Sequence, residues 1–156
     1  MNGNGSDAIV ELALSHPFFV GLDPTLVRAM TAKAEERTYS VGDMLVREGR
    51  AAEEFFLVFE GKVALEVGGT DQPGITVETI GRGEILGWSW LVSPHRWRFD
   101  ARATKPTKVV AINAASARYA LAAHPAFGYQ FLMKLLPVIA DRLENTRVQL
   151  LDIHGR

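Results

Sequence analysis

Two periodicities divide the chain. Ile9 to Leu14 reads as a short helix ending near Ser15-His16-Pro17. Asp23-Pro24 then opens a second helix, with Asp as N-cap and Pro at the first helical position. Leu26, Val27 and Met30 are its apolar positions, and the pattern fades by Glu36. From Arg37 the period drops to two, the signature of strands. Arg37–Ser40, Met44–Val46, Glu54–Glu60, Val63–Val67, Ile75–Ile80 and Lys108–Ile112 are expected strands. Turns at Val41-Gly42, Glu48–Arg50, Gly61 and Lys105-Pro106 and a hairpin loop over Gly68–Gly74 separate them. Short strands at near-regular spacing between glycine turns predict a sandwich or barrel.

Helical spacing returns at the end. Asn113 caps a helix through Ala122, and His124-Pro125 opens another. Tyr129, Leu132, Leu136, Ile139, Leu143, Thr146, Leu150 and Ile153 then follow at alternating steps of three and four. That spacing keeps a narrow seam on one face, the pattern of two helices packed side by side. The seam serves either self-association or packing on the chain's own barrel. Pro137 interrupts it and predicts a kink or a break. The organisation expected is a flexible tail over 1–8 and one domain over 9–156. Its parts are N-terminal helices (9–36), strands (37–112) and C-terminal helices (114–154).

Between the two regimes lies Thr79–Ala103, with glycines at 81, 83 and 87, a Ser93-Pro94 turn and all three tryptophans, Trp88, Trp90 and Trp97. If the strand alternates without interruption, Trp97, Phe99, Ala101 and Ala103 share one face. Arg96, Arg98, Asp100 and Arg102 then share the other. A one-residue bulge after Ser93-Pro94 would instead turn Arg96 or Arg98 inward.

Composition narrows the function. A net charge of −1 disfavours a general nucleic-acid binder. The absence of cysteine removes thiol nucleophiles and thiolate metal sites and fits a cytoplasmic location. No apolar run approaches the ~20 residues that span a bilayer, and Met1–Asp7 lacks the form of a signal peptide. His16, His95, His124 and His154 are scattered without ligand spacing, which disfavours a metal enzyme and haem ligation. Ser89 has no nucleophile-elbow frame. No enzyme activity, cofactor or metal is expected.

Five segments in order resemble the cyclic-nucleotide-binding domain family, the sensor of catabolite-activator-type regulators. They are His16–Leu22, Val41–Gly49, Phe56–Val63, Ile80–Gly87 and Arg142–Thr146, the last similar to the "R-L-x-x-T" of the family's dimerising helix. The resemblance implies a mainly β fold, an antiparallel β-roll of jelly-roll type, with N-terminal helices and a long C-terminal dimerisation helix. It places a ligand site at Leu86, Gly87, Trp88, Ser89, Arg96, Trp97, Arg98, Phe99 and Thr146. The dimer interface would use Leu132, Leu136, Ile139, Leu143, Thr146, Leu150 and Ile153.

In the family's phosphate-binding cassette, a Gly admits the ligand to backbone N–H groups at a helix start. A following Glu accepts from the ribose, and a strand Arg pairs with the phosphate. Here Gly87 is followed by Trp88, Trp90 replaces a small residue, and the ungapped register puts Trp97 at the Arg position. Losing both charged contacts would cost roughly 3–6 kcal/mol, two to four orders of magnitude in affinity.

The sequence therefore predicts a dimeric, non-enzymatic regulatory module with a modified pocket. Its effector would be a modified nucleotide or an aromatic or apolar small molecule. The alternatives are a scaffold for a partner protein with a self-filled pocket, and a true cyclic nucleotide receptor using Arg96 or Arg98. The chain ends just past the long helix, so direct DNA binding is not expected, and without a long apolar run neither is membrane insertion.

Overall fold

A computed structural model describes residues 3–69 and 74–154. Two helices, α1 (Gly3–Ser15) and α2 (Pro24–Met30), precede eight strands. These are β1 (Glu35–Tyr39), β2 (Met44–Val46), β3 (Glu54–Glu60), β4 (Lys62–Val67), β5 (Ile75–Gly81), β6 (Ile85–Leu86), β7 (Asp100–Ala103) and β8 (Thr107–Asn113). Helices α3 (Ala114–Ala123) and α4 (Pro125–His154) follow. The strands form two antiparallel four-stranded sheets, ordered β1-β8-β3-β6 and β2-β7-β4-β5. This is the β-roll expected from the resemblance, with its helices before and after the strands.

Strand β3 explains the layering. Phe55, Phe56, Leu57 and Val58 are all fully buried, so both of its faces are covered. Successive side chains point to opposite faces. Phe55 meets Phe131 of α4 at 6.3 Å between ring centroids. Phe56 stacks toward Trp97 at 6.4 Å. One core thus lies between the sheets, and another lies between a sheet and α4.

The caps follow the sequence. Asp23 accepts from the Thr25 N–H and Asn113 from the Ser116 N–H, both at 2.9 Å. Helix α1 begins at Gly3, so residues 3–8 are helical rather than a tail. Val10 and Ala13 anchor it in the core, and each preceding residue then adds a hydrogen bond at little entropic cost. The hairpin loop expected over Gly68–Gly74 falls partly outside the described residues, at 70–73. Pro137 neither breaks nor ends α4: it lies at an exposed position inside one continuous helix, Pro125–His154. The strand expected through Trp97 is shorter, since its partner chain turns at Glu48–Arg50. Upstream of Asp100 only an isolated bridge, Ala51 to Arg96, remains. No helix among the described residues is long and apolar enough to cross a membrane.

His16 closes the first loop. Its Nε2 lies 3.0 Å from the Val58 carbonyl, and its Nδ1 accepts from the Phe18 N–H at 3.2 Å. The carbonyl can only accept, so Nε2 carries the proton and the ring is neutral. Burial holds the imidazole below its ordinary value, partly offset by the Val58 bond. The unfolded chain therefore takes up the second ring proton, the one that charges the imidazole, more readily than the folded one. Stability from His16 is complete above the ordinary histidine value and falls as pH drops toward the depressed one, by at most about 1.4 kcal/mol per pH unit. Thermal midpoints measured from pH 7.5 to 5 are expected to fall less steeply in His16→Asn than in the natural protein.

Candidate functional site

Three turns build the site. At the first, Gly83 N–H donates to the Val58 carbonyl at 2.9 Å and Glu84 accepts from Gly81 N–H at 2.5 Å. That carboxylate is therefore committed to its own turn. The chain then crosses β6 and reaches Gly87, whose φ is +109°, a conformation that favours glycine. The next residues coil into a short turn, with Leu91 N–H donating to the Trp88 carbonyl at 3.0 Å.

The third element is the Trp97 segment, held by an exchange of backbone bonds. Gly49 N–H donates to the Trp97 carbonyl at 2.8 Å, and Trp97 N–H to the Arg50 carbonyl at 2.9 Å. This exchange fixes which side chains face in. Trp97, Phe99, Ala101 and Ala103 are buried, while Arg96, Arg98 and Arg102 are exposed. Arg96 donates to the Gly49 carbonyl at 2.8 Å. Arg98 sits 5.4 Å over the Trp88 ring. Neither guanidinium enters the roll, so the bulged register that would have turned one inward does not occur.

Trp97 occupies the space above Gly87. A Cβ added at Gly87 would lie 2.7 Å from Trp97 Cη2, 3.0 Å from its Cζ3 and 3.4 Å from Phe55 Cβ. The glycine therefore admits an indole of the same chain to its backbone. Phe99 packs beside this ring at 5.9 Å.

The other two tryptophans lie elsewhere, although all three are close in sequence. Trp90 is fully buried between sheet and α4, stacked on Phe55 at 4.3 Å and 10°. Its Nε1 donates to the Gly87 carbonyl at 2.9 Å, and its own carbonyl accepts from Arg118 at 2.8 Å. Trp88 is half-buried under Arg98. Leu86 and Ser89 are fully buried. Ser89 Oγ is the one buried side-chain polar atom without a partner among the described residues.

Thr146 does not reach the roll; its hydroxyl donates to the Arg142 carbonyl of its own helix at 2.9 Å. The residue that does reach it is Arg142, whose guanidinium donates to the Ile85 carbonyl, two residues before Gly87. Burial pulls this guanidinium below its ordinary value, against the pull of Glu78 and Glu84. Arg118 and Arg142 were not legible as tethers, because both bonds span distant sequence. Arg142 did stand in a recognised motif, which was the available signal.

The C-terminal seam faces solvent. Leu136, Leu143 and Leu150 are 59%, 70% and 52% exposed, and Leu132 is exposed as well. Ile139 and Thr146 are half-buried, and the Ile153 side chain lies outside the described residues. The face that α4 turns to its own domain is Phe127, Phe131 and Leu135.

A family model described as "Cyclic nucleotide-binding domain" matches residues 36–124. Among solved structures, the chain is similar to a protein described as cyclic nucleotide-binding from Geobacter metallireducens GS-15. The two are 28% identical over 85% of this chain and 96% of that one, with a TM-score of 0.75. It also resembles a cyclic nucleotide-binding domain from Methylobacillus flagellatus KT, at 20% identity over 95% of this chain and 85% of that one, TM-score 0.77. A third similar structure is the regulatory subunit of a cAMP-independent protein kinase A from Trypanosoma cruzi, bound to guanosine. It is 18% identical, covering 97% of this chain and 52% of that one, TM-score 0.71. A search of curated proteins gives no match.

Proposed function

The chain belongs to the cyclic nucleotide-binding domain family, and from that premise we propose that it is a non-enzymatic regulatory module whose roll does not accept cyclic AMP or cyclic GMP in the ordinary way. One observation carries the reading: the Trp97 indole lies on Gly87, where the family's pattern calls for phosphate and a pairing guanidinium. Trp88 stands in the place of the ribose-binding carboxylate, and the nearby arginines point outward. An effector of this module displaces or stacks on Trp97, which favours a modified nucleotide or an aromatic or apolar molecule. The Trypanosoma cruzi relative, described as cAMP-independent and bound to guanosine, supports such a departure within the fold.

Calorimetric titration of both cyclic nucleotides tests the reading. The expected result is no saturable binding in the low micromolar range, since roughly 3–6 kcal/mol of charged contact is missing. Low-micromolar affinity for either nucleotide refutes it.

The exposed seam favours a second feature, a homodimer formed through α4. Leu143, at 70% exposure, is central to that stripe. Leu143→Asp is expected to convert a dimer to a monomer by light scattering. A monomeric natural protein would defeat the proposal. The same dimer with a permanently occupied roll would serve as a scaffold for a partner protein. Thermal shift against a nucleotide and metabolite panel separates the two roles, because only the sensor is stabilised by a small molecule.

A further inference from the structure

A groove outside the roll has the chemistry of a ligand site. It lies between α3, α4 and the turn after Trp88, with a volume of about 550 Å³, within the ~300–1,000 Å³ typical of small-molecule pockets. Leu91, Leu121, Pro125, Tyr129 and Leu132 supply apolar walls. The walls are set by a close helix crossing: a Cβ at Gly128 would lie 2.8 Å from the Leu121 carbonyl oxygen. Tyr129 and Leu132 are 66% and 49% exposed in the single chain, at the start of the seam proposed above to pair with a second copy.

Arg118 is the one charged residue of the lining. A guanidinium offers five N–H donors. Among the described residues the Arg118 side chain makes one hydrogen bond, to the Trp90 carbonyl, and no carboxylate pairs with it. A half-buried cation beside a bare apolar groove calls for an acid with an apolar body, held by a forked pair of charge-assisted bonds. A second copy of the chain meets the need less well. From Pro125 to Ala140, α4 carries no acidic residue, and its one charged side chain there is Lys134.

We propose that this groove binds a small amphipathic carboxylate, aliphatic or aromatic. Its carboxylate rests on Arg118 and its apolar body lies along Leu121, Pro125, Tyr129 and Leu132. The occupant would touch Leu91 and share the arginine that holds the Trp90 carbonyl, so it acts on the turn that carries Gly87. The site is separate from the roll interior and stands whether or not the roll accepts a nucleotide.

The test titrates the full chain with octanoate and with octan-1-ol, followed by calorimetry and tryptophan fluorescence. Octanoate is expected to bind saturably at one site, and the alcohol at least about tenfold more weakly, the loss of one charge-assisted interaction. Arg118→Met is expected to bring octanoate down to the level of the alcohol. Ala122→Trp, at an exposed lining position, fills the groove and is expected to abolish binding of both. Circular dichroism checks that each variant stays folded, and Arg118→Gln serves as a second variant if the methionine form does not fold. Equal affinity for acid and alcohol, or octanoate binding unchanged in both arginine variants, overturns the proposal. So does the absence of saturable binding up to about 1 mM. Binding that appears only when the protein is diluted to monomers also overturns it, by assigning the groove to a second copy.

Discussion

Trp90→Ala is expected to lower stability by about 3–5 kcal/mol, the range for deleting a large buried aromatic. The ring is fully buried, lies 4.3 Å from Phe55 in a parallel stack and meets Phe131 edge-on at 5.8 Å. Its removal opens a cavity between sheet and α4 and leaves the Gly87 carbonyl without its 2.9 Å donor. For a chain of this size the loss corresponds to a fall of roughly 6–20 °C in thermal midpoint. Trp90→Phe keeps most of the packing and isolates the lost hydrogen bond, at about 1–3 kcal/mol. A loss below about 1 kcal/mol in the alanine variant would show that the indole does not fill the space between sheet and α4.

Gly87→Ala is the second large effect. The new methyl would lie 2.7 Å from Trp97 Cη2 in a backbone at φ +109°. Overpacking costs about 1–3 kcal/mol and the backbone conformation about 1–2 kcal/mol. The diagnostic measurement is a double-mutant cycle with Trp97→Ala. Removing the indole abolishes the clash but not the backbone strain. Gly87→Ala should then cost about 1–2 kcal/mol in that background, with a coupling of about 1–3 kcal/mol between the sites. Additivity within about 0.5 kcal/mol would mean that the ring does not rest on the glycine, and the account of the filled roll would fall with it.

Much of this arrangement could be read from the chain before its structure. Asp23 and Asn113 announced their helices, because a cap is a local hydrogen bond between near neighbours. The inward set Trp97, Phe99, Ala101 and Ala103 followed from strict alternation, a property of any strand-like backbone. The placement of the tryptophans was harder. Trp88, Trp90 and Trp97 crowd one stretch of sequence, yet the turn after Gly87 sends Trp90 toward α4 and leaves Trp88 at the surface. Nothing local distinguishes those directions. Helix α4 shows the same limit. The row through Tyr129, Leu132 and Leu136 and the row through Phe127, Phe131 and Leu135 are both apolar at helical spacing. Only tertiary contact decides that the phenylalanine row faces home.

Two cations on α4 have a mechanical consequence. Lys134 donates to the Val20 carbonyl and Arg142 to the Ile85 carbonyl, clamping the helix to a loop and to strand β6. Beyond Arg142 the helix continues to His154 as an overhang, with Leu143, Val148, Leu150 and Leu151 exposed to solvent. A short unsupported helix is marginal in water. Amide hydrogens past the second clamp should therefore exchange rapidly in a lone subunit and slow down sharply once another surface lies against that arm. Any signal that loosens Arg142 from Ile85 would lengthen the free arm toward the first clamp.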